Sequence, residues 1–183
     1  MSIFKNHFSN PKYHNQMKKR IILLSLILAI GSIQTTISKN KTSVDSNKNA
    51  KSGEKTFTVQ ADQALALISQ AAQKISIQGV AIVAFIPGDA TVSWISKMKV
   101  VGNLTHDKAN LLAIASTKAA EMADTHLDSG SGIREIYSGE LGYKGGLIKK
   151  VNSGFILAVF SGGSGEQDLE VAKIGLEWLS KFY

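Results

Sequence analysis

Gly79-Val80-Ala81-Ile82-Val83-Ala84-Phe85-Ile86-Pro87-Gly88-Asp89 is the stretch that decides the fold. The apolar run Val80–Phe85 is too short for a helix and is bounded by turn residues. It reads as a central strand buried on both faces. Pro87-Gly88-Asp89 is a turn. Thr91–Ser96 fits the returning strand, with Val92, Trp94 and Ile95 as its apolar content. A second hairpin lies further on: Leu147–Val151 and Phe155–Phe160 are strands, joined by Asn152-Ser153-Gly154.

Helices surround these hairpins. Ala61, Leu65, Ile68, Ala72 and Ile75 step by four and three, a helical stripe that starts near an N-cap at Thr58 and ends at Gly79. An alanine-rich helix is expected over about His106–Asp124, with Leu112, Ala115, Ala119 and Met122 on one face. Residues 125–146 are loop-rich, with room for a short element around Ile133–Tyr137. The last helix follows Ser161-Gly162-Gly163-Ser164-Gly165. Ser164 and Gln167 have capping-box spacing, and Leu169, Ala172, Leu176 and Leu179 form its stripe. The order is helix, hairpin, helix, hairpin, helix. Hairpins make neighbouring strands antiparallel, so the expected class is α+β: an antiparallel β-sheet with helices packed on it.

Upstream of this domain the composition changes. Lys18-Lys19-Arg20 precedes an almost unbroken apolar run, Ile21–Ile30, as in a secretory signal; Thr36-Ile37-Ser38 offers a cleavage site. The run is shorter than the roughly 20 residues a membrane span needs. Residues 1–38 are therefore read as a signal peptide, 39–55 as a disordered polar linker and 56–183 as the working domain. Contact with a membrane would come only through an uncleaved signal. The expected location is periplasmic or secreted.

The charge and the missing cysteines then narrow the chemistry. The chain has 21 basic and 14 acidic residues, a net charge of +7. Five of the basic residues and none of the acidic ones fall in residues 1–38, which leaves 16 basic against 14 acidic. No basic patch remains that would track nucleic-acid phosphates, so no nucleic-acid partner is expected. The absence of cysteine excludes a disulfide framework, a thiolate nucleophile and a cysteine-ligated metal.

Ser161–Gly165 is the strongest local chemical feature. It joins a buried strand to a helix N-terminus, where backbone N–H groups can hold an anion or carboxylate, or where the loop serves only as a tight turn. Glu166 and Asp168 suit the positive end of that helix and need no other role. Glu121, Asp124 and Asp128 read as a solvated helix surface. His106 and His126 bracket the second helix, too far apart to share a ligand. Met98, Met122, Tyr137 and Tyr143 have side chains of haem-ligand type, but read first as core or surface residues. Trp94 and Trp178 read as core or interface. No Gly-x-Ser-x-Gly elbow or acid–base pair speaks for an enzyme.

Several of these motifs fall in one order. Ser161-Gly162-Gly163, Gln167-Asp168, Ala172 and Gly175-Leu176 resemble the C-terminal signature of the GlcG/HbpS family of haem-degrading or haem-binding domains. Phe57-Thr58, Gly79–Phe85, Met98, Ala115–Ala119 with its Lys118-Ala119 pair, and Gly145-Gly146 follow the same order. The resemblance spans about residues 56–183. Members of that family are exported or cytoplasmic homo-oligomers, some of them with haem-binding, haem-sensing or redox roles, so the resemblance implies a binding domain with haem or another tetrapyrrole as the leading ligand. The ligand pocket would lie among Lys118, Gly145, Gly146, Ser161, Gly162, Gly163, Ser164 and Gly165, with Lys118 or the helix N-terminus meeting a propionate. A small organic acid bound to the same loop, or a structural homo-oligomer without ligand, are the alternatives.

Overall fold

The four-stranded antiparallel sheet has the order β2-β1-β6-β5. A computed structural model describes residues 48–183. The segment read as a signal peptide and the first part of the linker lie outside the described residues. In chain order the elements are α1 (48–74), β1 (Gly79–Pro87), β2 (Ile95–Val101), the two-residue strands β3 (Thr105–His106) and β4 (Ala109–Asn110), α2 (Leu111–Thr125), β5 (Gly146–Val151), β6 (Gly154–Ser161) and α3 (Gly165–Ser180). This is the expected α+β class, and the order helix, hairpin, helix, hairpin, helix holds, with a minimal β3–β4 ladder added.

Both central strands are buried on both faces, because helices cover each side. Alternate residues of β1 and β6 point to opposite cores. Ala81, Val83, Phe85, Ile156, Ala158 and Phe160 join Phe57, Ile68, Val171 and Leu179 under α1 and α3. Val80, Ile82, Ala84, Ile86, Leu157 and Val159 join Leu111, Ala115, Ala119 and Met122 under α2. Each large apolar side chain so buried contributes on the order of 2 kcal/mol. The strand period of two thus divides one apolar run between two cores.

Four expected boundaries shift. Residues 48–55, read as disordered linker, are helical, and Thr58 is no N-cap: its hydroxyl donates to Glu54 O at 2.9 Å inside α1. Tertiary contacts hold this polar turn. Gly53 is buried against Phe85, and Tyr183 donates its hydroxyl to Gly53 O at 2.8 Å. The returning strand is Ile95–Val101 rather than Thr91–Ser96. Val92 is 91% exposed and Trp94 is exposed too, so neither is core. The second helix starts at Leu111, because Asp107 and Lys108 take positive φ in the β3–β4 turn and Asn110 caps Ala113 N. No strand or helix forms at Ile133–Tyr137. That loop is organised by Arg134, whose guanidinium bonds Asp124, Glu140 and Glu135 O and lies 3.7 Å over the Tyr137 ring.

Candidate functional site

Lys118 sits on the buried alanine face of α2, one turn beyond Ala115, and is 2% exposed. A lysine there must find a partner, since an unpaired buried ammonium is costly. It reaches past the start of β5 to the opposite helical layer. Its Nζ donates to Asp168 Oδ2 on α3 at 2.7 Å and to Phe160 O on β6 at 3.0 Å. Asp168, also 2% exposed, accepts the Gly163 N–H at 2.8 Å with its other oxygen. Burial pushes the Asp168 carboxyl up and the Lys118 ammonium down, and their mutual attraction opposes both shifts.

The glycines make this crossing feasible. Gly145 has φ of +133°, and a Cβ there would strike Lys118 Nζ, come within 2.7 Å of Asp168 Cβ and 2.9 Å from Phe160 O. A Cβ on Gly146 would meet Met122 Cε at 2.7 Å. Gly162 passes so close to Gln78 O that no side chain fits. At the helix start, Ser164 Oγ accepts Gln167 N at 3.3 Å and Gln167 Oε1 accepts Ser164 N at 2.9 Å, the expected capping box.

All eight residues expected around a ligand therefore belong to one region. Lys118, Gly145, Gly146 and Ser161 are buried there, and Gly162–Gly165 form its outer turn. The carboxylate held by the glycine loop is the chain's own Asp168. Asp168 is consequently not a mere helix-dipole residue; it is the hub of the motif. The signal for it was present in Lys118, a cation on an otherwise apolar helical stripe. Haem does not fit beside Lys118 as the side chains stand, because the ammonium and the Gly163 N–H are already bonded and a Cβ would overfill the spaces at Gly145 and Gly146.

A second region is open. α2 packs chiefly on β1, β5 and β6, and the margin over β2 is partly open. Met98 and Val100 pair with Ile82 and Val80, and so share the α2-facing side of the sheet. They are 46% and 40% exposed. Leu104 O accepts Leu111 N at 2.9 Å at one end of α2, and Thr91 donates its hydroxyl to Ala123 O towards the other. These contacts pin both loops flanking β2 to the helix. The apolar strip of Met98 and Val100, extended by exposed Leu104, thus runs beside it.

His106 and His126 stay apart at opposite ends of α2. Among the described residues no group of three or more His, Asp or Glu is placed to hold a metal, and no helix is long and apolar enough to cross a membrane.

No protein-family model matches the chain, and no curated protein matches it. Among solved structures it is similar to Klebsiella pneumoniae protein ORFY, described under the family model DUF336. The identity is 18% and the TM-score 0.50, over 68% of this chain and 90% of that one. A complex of PduOC with haem is similar at 17% identity and TM-score 0.45, over 65% of this chain and 91% of that one. The likeness to ORFY shows that this chain shares that protein's fold.

Proposed function

We propose that the domain is an exported binding protein for haem or a related tetrapyrrole, seated on the strip beside α2. The observation that carries this reading is the exposed apolar margin of Met98, Val100 and Leu104. A tetrapyrrole is a flat apolar ligand that needs such a surface. The thioether of Met98 is of a type that ligates haem iron. The lysine in the β3–β4 turn, Lys108, supplies a cation for a propionate at the Leu104 end. The motif around Lys118 and Ser161–Gly165 then acts as the scaffold behind the ligand. Lys18–Ile30 supports export to the periplasm or exterior, and haem sensing or redox work follows from a bound iron porphyrin. A small organic acid is less favoured, because Asp168 already occupies the glycine loop.

The same strip also favours a second reading, a homo-oligomer in which another copy covers it. Haem titration of the full chain, followed by absorbance, separates the two. A saturable Soret shift that Val100→Asp abolishes and Met98→Ala alters supports haem binding. The haem reading falls if no saturable shift occurs. Light scattering that shows an oligomer, dispersed by Val100→Asp, would then give the strip to self-association.

A further inference from the structure

Glu121 is 7% exposed, which corrects its reading as a solvated surface residue. One carboxylate oxygen accepts the Gly130 N–H at 3.0 Å. The other, Oε2, is buried without a hydrogen-bond partner. A buried carboxylate oxygen left unpaired is costly and calls for a donor. Glu121 is also the only buried residue lining a cleft of about 90 Å³, walled by Gly130, Arg134, Glu135, Ile136 and Glu140.

The cations nearby do not supply that donor. Arg134 has five N–H groups, and all are used: two meet Asp124, two meet Glu140 and one meets Glu135 O. Lys144 lies beside Gly130, but its ammonium is directed to Glu166, 4.0 Å away. The lining holds three carboxylates against one guanidinium, so the cleft attracts cations and repels anions. A metal ion is disfavoured, because no three His, Asp or Glu among the described residues converge. Its volume exceeds the roughly 30 Å³ share of one water and suits a small head group. Around the cleft, the same loop exposes Ile133, Ile136, Tyr137 and Leu141, an apolar rim.

We infer that the cleft between α2 and the 129–142 loop binds the primary ammonium group of an organic amine, with Glu121 as its acceptor and the apolar rim against its carbon body. This site is separate from the strip beside β2 and stands whether or not haem binds there.

The test is amide NMR of the full-length protein at constant ionic strength, with 2-phenylethylammonium chloride as the probe. Saturable shifts of the Gly130 and Gly132 amides are expected. Tetramethylammonium, which has no N–H donors, should bind at least tenfold more weakly, and calcium chloride should leave these amides unmoved. Glu121→Gln keeps an acceptor for Gly130 N and should abolish the response. Should that variant fail to fold, Glu135→Gln on the exposed wall should weaken binding several-fold. The inference is overturned if the probe moves nothing, if tetramethylammonium matches it, if calcium replaces it, if binding survives in folded Glu121→Gln, or if it is undiminished in Glu135→Gln.

Discussion

Lys118 and Glu121 lie one helical turn apart on α2 and are similarly buried, yet their surroundings differ in kind. Lys118 is fully engaged: a carboxylate, a carbonyl and a glycine loop close around it. Glu121, which lines a cleft, keeps one oxygen unpaired. The motif-bearing region, rich in glycines and signature residues, is internally satisfied. The region with no recognisable motif is the one left chemically incomplete. Motif density here marks what holds the layers together, and unsatisfied chemistry marks where a ligand has something to gain.

The sharpest way to break this contrast is at the ion pair itself. Asp168→Ala strands a buried ammonium and should cost about 3–5 kcal/mol of stability in chemical denaturation. The double replacement Lys118→Met with Asp168→Leu should recover most of that loss, because an apolar pair leaves no charge unpaired. A single-variant cost below about 1 kcal/mol would show that the pair is effectively solvated and that the region is not closed.

A smaller effect should separate the two regions by their glycines. Gly145→Ala sets a Cβ against Asp168 and Phe160 O at a positive φ, and should cost about 3 kcal/mol. Gly132→Ala, at φ +66° with open space around it, should cost only about 1 kcal/mol. Equal costs in thermal melts would erase the distinction between a packed crossing and an open cleft.

The smallest effect is local and depends on pH. Arg134's hydrogen bonds hold the Glu140 carboxyl below its ordinary 4.5. A carboxyl depressed in the folded state contributes its full stabilisation above that ordinary value and loses it as pH falls through the depressed one. The Tyr137 N–H, bonded to Glu140 Oε2 at 3.0 Å, should therefore lose exchange protection below about pH 4.5. Core amides of β1 should keep theirs. Unchanged protection at Tyr137 would mean that Arg134 does not hold the loop.

The sequence made the core legible because its signals there are local and redundant. Val80–Phe85 has no other comfortable reading than a buried strand, and Ser164 with Gln167 spells a helix start that the structure reproduces. What escaped depends on distant partners. The polar first turns of α1 resemble a linker until Tyr183 closes on Gly53. Strand β2 was displaced because Val92 and Trp94 look like core, while Lys97 and Lys99 hide the alternation of the true strand. Asp168 had a sufficient local explanation at the helix N-terminus, and that concealed its role as partner to Lys118. Glu121 could not be singled out from Asp124, because only packing tells which of two helical carboxylates is buried.

The sheet order also has a consequence for how the chain acquires its fold. Each hairpin joins near neighbours, and its closure is fast and inexpensive in chain entropy. The seam between β1 and β6 pairs Val80 with Ser161 and Pro87 with Gly154, so it must close a loop that contains β2, α2 and β5. Non-local pairing of this kind slows folding. The two hairpins are therefore expected to be early, fluctuating species, and the docking of β6 onto β1 to be the step that sets the rate.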